Sequence, residues 1–271
     1  MPKCCIMVER NMGVSYSVGS RTFWSQTRAL TKANLKARYR KTFAGFIWVV
    51  LNPVIMFSVQ ALIFKKILRL QVDHYPLFLL SGLIPWIFIS QSIDMTISIF
   101  VNSSQLIKSY PVHPLVYLVA QIIDNFINFV AAFLCILIPV SLREPVSVKA
   151  FIMLPVSFIV LVIGVIGVSW LLATVQVFFR DLRYIMNFVM SVGFFLTPIF
   201  YPIQFIPPNL KWLVVFNPFY RMIEPFHAIL IDFSWQEFMR TTAISLAVSV
   251  GLLILASVVW AIKRNEIYFR V

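Results

Sequence analysis

No charged residue stands between Phe151 and Phe179, and the run stops abruptly at Arg180-Asp181-Leu182-Arg183. A bilayer core is crossed by about 20 apolar residues in a helix. An Arg or Asp at the centre of such a helix costs roughly 2.5–3.5 kcal/mol on insertion scales. The stretch therefore reads as a membrane span with a charged collar. Lipid offers no partner to an open main-chain N–H or C=O, so each span must be a helix. The same pattern recurs at residues 43–64, 75–101, 115–140, 184–200 and 243–262. Together with residues 151–179 it predicts an all-α integral membrane protein of six transmembrane helices. Residues 1–42 precede this unit, residues 43–262 form it, and residues 263–271 follow as a short tail.

Hydrophobic residues make up 60% of the chain and charged ones 12%, against about 25% charged in soluble domains. A net charge of +13 points to nucleic acid in a soluble protein. Here the basic residues gather beside apolar spans, which fits anionic lipid headgroups and control of orientation. Six spans place both termini on one side. That side, with the 102–114 loop and the 180–183 turn, holds 15 of the 23 Lys and Arg residues. The excess of positive charge makes it the cytoplasmic face. No cleavable signal peptide is expected, because the first apolar run begins only after Lys41. Cys4, Cys5 and Cys135 form neither a disulfide framework nor a metal cluster.

The fifth span is the irregular one. Its apolar run is broken by Thr197-Pro198, Tyr201-Pro202 and Pro207-Pro208, then resumes over residues 212–219 and 222–231. Those two pieces are too short to cross about 30 Å of hydrocarbon. They predict re-entrant or interfacial helices on the outer side, between spans five and six, broken at Asn217-Pro218. Non-helical backbone at membrane depth is tolerated where it lines a cavity or is buried in protein, so this region marks the outer end of a pathway.

Three constellations are candidates for function. Before the first span Arg28, Lys32, Lys36 and Arg40 recur every four residues, with Arg38 beside them. They predict a basic amphipathic helix in the inner interface, serving either as a lipid anchor or as a guide for an anionic substrate headgroup or a partner. Asp94 and Asp124 are the only acids inside spans, both toward the cytoplasmic ends. An intramembrane carboxylate must face protein or water. A proton relay is one reading. A polar contact with Gln121, Asn125 or Asn128 is the plainer one, and the chain carries no further run of buried acids or histidines to extend a relay. The 102–114 loop, with Lys108, Tyr110 and His113, is a plain connection or a short helix that takes force from a soluble partner. Arg180 and Asp181 stand at the same face. Aromatic residues are 15% of the chain and many lie near span ends, where belts and packing account for most. Flat apolar faces also suit sugar rings that must slide. No phosphate-cradling Gly-x-x-x-x-Gly-Lys-Ser/Thr loop is present, so any ATP must bind another chain, and this chain alone is not expected to be an enzyme.

Several of these residues fall in a familiar order. Leu35-Lys-Ala-Arg-Tyr-Arg-Lys-Thr-Phe-Ala-Gly-Phe-Ile-Trp48, Leu51-Asn-Pro53, Leu80-Ser-Gly-Leu-Ile-Pro-Trp86, Phe179-Arg-Asp-Leu182, Thr197-Pro-Ile-Phe-Tyr-Pro202 and Asn217-Pro218 together resemble ABC-2 type exporter permeases, above all those that export lipid-linked polysaccharides such as O-antigen. The resemblance covers nearly the whole chain. It implies a homodimer joined to two copies of a separate nucleotide-binding ATPase, which binds ATP and Mg and leaves no cofactor in this chain. It implies an undecaprenyl-linked polysaccharide substrate, membrane lipids as neighbours, no nucleic acid, and a place in the bacterial inner membrane. By the same resemblance Arg28, Lys32, Lys36, Arg38 and Arg40 shape a cytoplasmic gate. Lys108, Tyr110, His113, Arg180 and Asp181 couple to the ATPase. Trp86, Phe195, Tyr201, Phe219 and Tyr220 line the pore or its outer gate. The stretch Leu106-Ile-Lys-Ser-Tyr-Pro111 departs from the basic and aromatic run usual at that place. Capsule polysaccharide or teichoic acid is the alternative cargo, and proton-coupled secondary transport through Asp94 and Asp124 is the alternative mechanism.

Overall fold

The computed structural model describes residues 20–39, 45–67, 69, 72–109, 112–231 and 233–270. Among them helices follow one another without a strand. They are α1 (Ser20–Tyr39), α2 (Gly45–Leu62, wound on through a π turn at Ile63–Ile67), α3 (Tyr75–Thr96), α4 (Ile99–Asn102), α5 (Ser104–Ser109), α6 (Pro114–Ser141), α7 (Val148–Gln176), α8 (Leu182–Leu196), α9 (Lys211–Val215), α10 (Pro218–Leu230) and α11 (Trp235–Arg270). Within the described residues five of these, α2, α3, α6, α7 and α11, are long and apolar enough to cross a bilayer, and α8 is a shorter apolar helix. The predicted second span is shorter than expected: α3 ends at Thr96, and residues 99–102 form a separate turn of helix. The sixth is longer, a single 36-residue helix that absorbs the predicted tail as far as Arg270.

Helix α3 forms the axis. It is enclosed on nearly every side, with Leu77, Leu79, Leu80, Leu83 and Ile89 fully buried. Helices α6, α7 and α10 pack around it, with α2 alongside. Two close approaches set the packing. A Cβ on Gly82 would sit 2.6 Å from the Ile199 carbonyl oxygen, so only glycine admits that backbone against α3. On the other flank Gly164 and Gly167 of α7 let α11 approach until a Cβ at either position would meet Ser249 or the Leu253 main chain. Small residues at such seams are how helices associate where lipid removes the hydrophobic drive. Ser249 Oγ also donates to the Val160 carbonyl across that seam, 3.3 Å away.

The contacts define two ends. At one, Phe100 after α3, Trp170 of α7 and Trp260 of α11 meet ring to ring, with His113 beside Trp260 at the start of α6. Helix α1 docks on α6 toward the same end, where Thr31 Oγ1 lies 3.4 Å from the Ala120 carbonyl. At the other end His74 Nδ1 and Glu144 Oε2, 2.6 Å apart, tie the loop before α3 to the loop after α6. There too the Tyr75 hydroxyl donates to the Phe200 carbonyl, at 3.2 Å.

Helix α8 has 15 residues, about 22 Å at 1.5 Å per residue, which alone falls short of about 30 Å of hydrocarbon. It crosses nonetheless. Arg183, at its start, lies beside Asp94 near the end of α3, while Phe200, four residues past its end, reaches Tyr75 at the start of α3. The non-helical residues 197–200, turned about Pro198 by an Ile199 N–H bond of 2.7 Å to the Thr197 carbonyl, carry the chain the rest of the way. The irregular span thus becomes a short helix with a non-helical end. Helices α9 and α10 follow at that end, as the proline breaks predict.

Gly82→Val should destabilise the protein by about 1–3 kcal/mol through overpacking against rigid backbone. Gly251, with nothing within 4 Å of a built Cβ, is the control: Gly251→Ala should hold or raise the melting temperature in the same detergent.

Candidate functional site

Along α3 the residues Trp86, Ser90 and Asp94 are spaced by four, and along α8 so are Arg183, Asn187 and Ser191. A spacing of four keeps side chains on one helical face. The two helices run in opposite directions, so the faces meet. Between them lies a cleft of about 550 Å³, lined by Trp86, Ser90, Gln91 and Asp94 from one wall and Asn187, Ser191, Phe194 and Phe195 from the other. It is graded. One mouth carries the Asp94–Arg183 pair, 3.7 Å apart with both side chains about half exposed. The middle holds hydroxyls and amides. The far end is aromatic, with Trp86 against Phe194 at 6.2 Å and edge-on to Phe219 at 6.0 Å. Gly193 makes this possible, since a Cβ there would come within 3.2 Å of the Trp86 ring.

Beyond Trp86 the rings continue outward. Phe194 and Phe195 pack on Phe200, Phe200 stacks on Phe64 at 4.8 Å, and the Tyr201 hydroxyl donates to the Phe195 carbonyl at 2.9 Å. Helix α10 is locked to this assembly at two points. Asn217 caps it, accepting from Phe219 N and Tyr220 N and donating to Thr197 Oγ1 at 2.8 Å. Pro218 follows at the first helical position, where a missing N–H costs nothing. Further along, His227 lies over Phe78 and shares a 2.7 Å hydrogen bond with Ser81 Oγ. Of the five aromatics expected at the pore, Trp86 and Phe195 line the cleft, Phe219 backs Trp86, and Tyr201 stands at the outer lip. Tyr220 is buried on α10 within this chain, behind the Asn217 cap.

The two intramembrane acids have different surroundings. Asp124 is fully buried and bonded to Arg38 at 2.6 Å, with Gln121 Nε2 donating to the same oxygen at 3.4 Å. Asn125 instead bonds Ser92 Oγ at 2.8 Å. The polar-contact reading named Gln121, and the dominant partner it missed is a cation 86 residues earlier in the chain. Asp94 faces the cleft. This also divides the basic helix. Thr27, Thr31 and Arg38 turn toward the protein, while Arg28, Lys32 and Lys36 stay exposed. Arg40 lies outside the described residues.

After α3 the loop does form a short helix, α5, pinned by buried Ile107 and presenting Lys108 outward. Tyr110 lies outside the described residues. His113 caps α6, its Nδ1 accepting from Leu115 N–H at 3.2 Å, and burial lowers its pKa below the usual 6.5. Its ring faces Trp260, so the half-buried side chain helps hold the end of the loop in place. Arg180 and Asp181 are exposed in the turn before α8.

The family described as ABC-2 type transporter matches residues 25–231, from the docked α1 to the end of α10. The chain is 28% identical over 240 residues to the O-antigen export system permease protein RfbA of Myxococcus xanthus, covering 88% of this chain and 92% of that one. A Klebsiella pneumoniae protein of the same name is 29% identical over 77% of each chain. The polysialic acid transport protein KpsM of Escherichia coli is 22% identical over 72% of this chain and 77% of its own.

Arg38→Gln should cost about 3 kcal/mol, because it strands a buried carboxylate. Arg38→Met combined with Asp124→Leu should recover most of the loss, read as melting temperature in detergent. His113 gives a pH signature. Its folded pKa is lowered, so the neutral cap contributes fully above 6.5, and stability falls as the pH drops through 6.5 toward the folded value. Melting between pH 7.5 and 5.5 should show a shallower slope for His113→Asn, which keeps a capping acceptor without the titration.

Proposed function

The chain belongs to the ABC-2 type transporter family, and from that premise we propose that it moves a lipid-linked polysaccharide of the O-antigen kind across the bacterial inner membrane. The permease role comes with the family, as does dependence on a separate ATPase. The cargo, the homodimer, two ATPase copies that bind ATP and Mg, and termini on the cytoplasmic side are our reading. The observation that carries it is the graded cleft between α3 and α8, which lies wholly within the family-matched segment.

A sliding glycan needs surfaces that hold it without gripping one residue. The flat faces of Trp86, Phe194 and Phe195 take apolar sugar faces. Ser90, Gln91, Asn187 and Ser191 exchange hydrogen bonds as successive hydroxyls pass. Helix α8 exposes Tyr184, Ile185, Phe188, Val192 and Leu196 on its outer side. A second copy of the chain against that face closes a conduit between protomers. The basic residues concentrated at the α1 end put that end at the cytoplasm. The ATPase then docks under α5 and the exposed row Arg28, Lys32 and Lys36, and its closure moves α1. The Arg38–Asp124 pair passes that motion to α6. Capsule polysaccharide is the second reading, favoured by the polysialic acid relative.

Purification should retain a nucleotide-binding partner, and ATPase activity should require both chains. Export that continued without that partner and collapsed with the proton gradient would give the function to secondary transport instead. Each basic side chain near an anionic surface contributes about 1 kcal/mol. Lys32→Glu with Lys36→Glu should therefore lower surface polysaccharide by about tenfold or more, with unexported lipid-linked chains accumulating inside the cell.

A further inference from the structure

Helix α11 runs for 36 residues, about 54 Å at 1.5 Å per residue, against about 30 Å of hydrocarbon. Its inner part meets the connections on the α1 side of the bundle, and it does so along one face. Ala256, Trp260 and Ile267 are buried there, with Lys263 half-buried among them. Their spacings of four, three and four keep them on one helical side. Trp260 touches both ends of a single loop. Phe100 of α4, which leads into α5, lies 5.4 Å from it between ring centres. His113, which closes the same loop as the cap of α6, lies 6.1 Å away. Trp170 of α7 is a third ring against the indole, at 6.2 Å. One turn on, Lys263 stands over the Phe178 ring in the turn after α7, 5.5 Å from its centre, within cation–π range. A tryptophan of the interfacial belt faces lipid and headgroups. Trp260 is 8% exposed, so its indole is held between elements of the protein.

We propose that Trp260 is a positioning residue for energy coupling: it clamps both ends of the α4–α5 loop to the α7–α11 pair, so that force applied at α5 reaches the membrane helices. This rests on the reading that the ATPase docks under α5. Helix α5 has six residues and one buried side chain, Ile107. Anchored by that side chain alone, so short a helix would tilt by itself under load. With its two flanks on one indole, it cannot tilt without moving α11. Helix α11 is in turn joined to α7 through the glycine seam. Closely packed rings suit the task, because packed interiors resist compression and pass strain on. His113 is the second jaw of the clamp, and Phe100 the first.

The test uses the full-length protein purified with its ATPase partner, with nucleotide hydrolysis by the complex and polysaccharide at the cell surface measured for the same variants. Trp260→Leu should keep the partner bound and hydrolysis within about twofold of wild type, while surface polysaccharide falls by about tenfold, the scale for residues that carry coupling. Trp260→Phe keeps a ring and should recover most of the export. Trp235→Leu, at the exposed outer start of the same helix, should change neither quantity. Should Trp260→Leu fail to fold, Phe100→Leu removes one jaw and should show the same split. Hydrogen exchange needs no variant. In the wild-type complex a non-hydrolysable ATP analogue should alter exchange in α5 and in residues 256–267 together. A change in α5 that leaves residues 256–267 untouched would overturn the clamp, as would wild-type export in Trp260→Leu. Export and hydrolysis that fall in proportion would also overturn it, since Trp260 would then serve packing alone. A wild-type protein that retains no ATPase would overturn the docking reading itself, and the clamp with it.

Discussion

Inside a bilayer every main-chain polar group must find its partner within the protein, and this chain breaks its helix where that demand is hardest to meet. At Thr197-Pro198 the α8 ladder ends while the chain is still crossing. Neighbouring elements supply what the lipid does not. The Tyr75 hydroxyl donates to the Phe200 carbonyl, and Asn217 donates to the Thr197 hydroxyl. Gly82 lets the Ile199 backbone lie directly on α3. Most of the rest follows from this repair. It fixes the outer helix α10 against α3, it sets the direction of α8, and it leaves the polar rows of the two helices face to face across the cleft.

The long spans were legible because apolar length alone determines them. Helices α6 and α7 run within a few residues of their predicted bounds. Helix α8 was harder, since a break in an apolar run reads as the end of a crossing, and only contacts at both ends reveal that a non-helical segment completes it. The interior acids illustrate a different limit. Helical period places Asp124 on a face but cannot say that α1 packs there, so its Arg38 partner was hidden by sequence distance. The cleft itself had a readable trace in the four-residue spacing of Arg183, Asn187 and Ser191 on an otherwise apolar helix. That trace gains meaning only once α3 is known to lie opposite. Tyr220 and His113 were assigned roles by resemblance, and what sequence could not supply is their setting: Tyr220 is buried behind the Asn217 cap, and His113 is itself the half-buried cap of α6.

Asp94 and Asp124 sit within about a turn of the same depth, since Asn125, next to Asp124, bonds Ser92 on α3. Their surroundings nonetheless separate them. One is enclosed and matched by a guanidinium at close range, so its charge is part of the architecture. The other faces an open cleft, half exposed and 3.7 Å from its guanidinium. Two carboxylates in similar positions along the sequence pattern thus have different chemistry, and the difference comes from which helix lies opposite each.

The seam between α7 and α11 has a mechanical corollary. Its glycines bring two of the longest helices to within a methyl group of each other, and the serine bond across them resists sliding. That pair therefore forms a fixed post of the bundle. Helix α8 is held more lightly, through the Trp86–Phe194 rings, the buried Met190 and one ion pair at 3.7 Å.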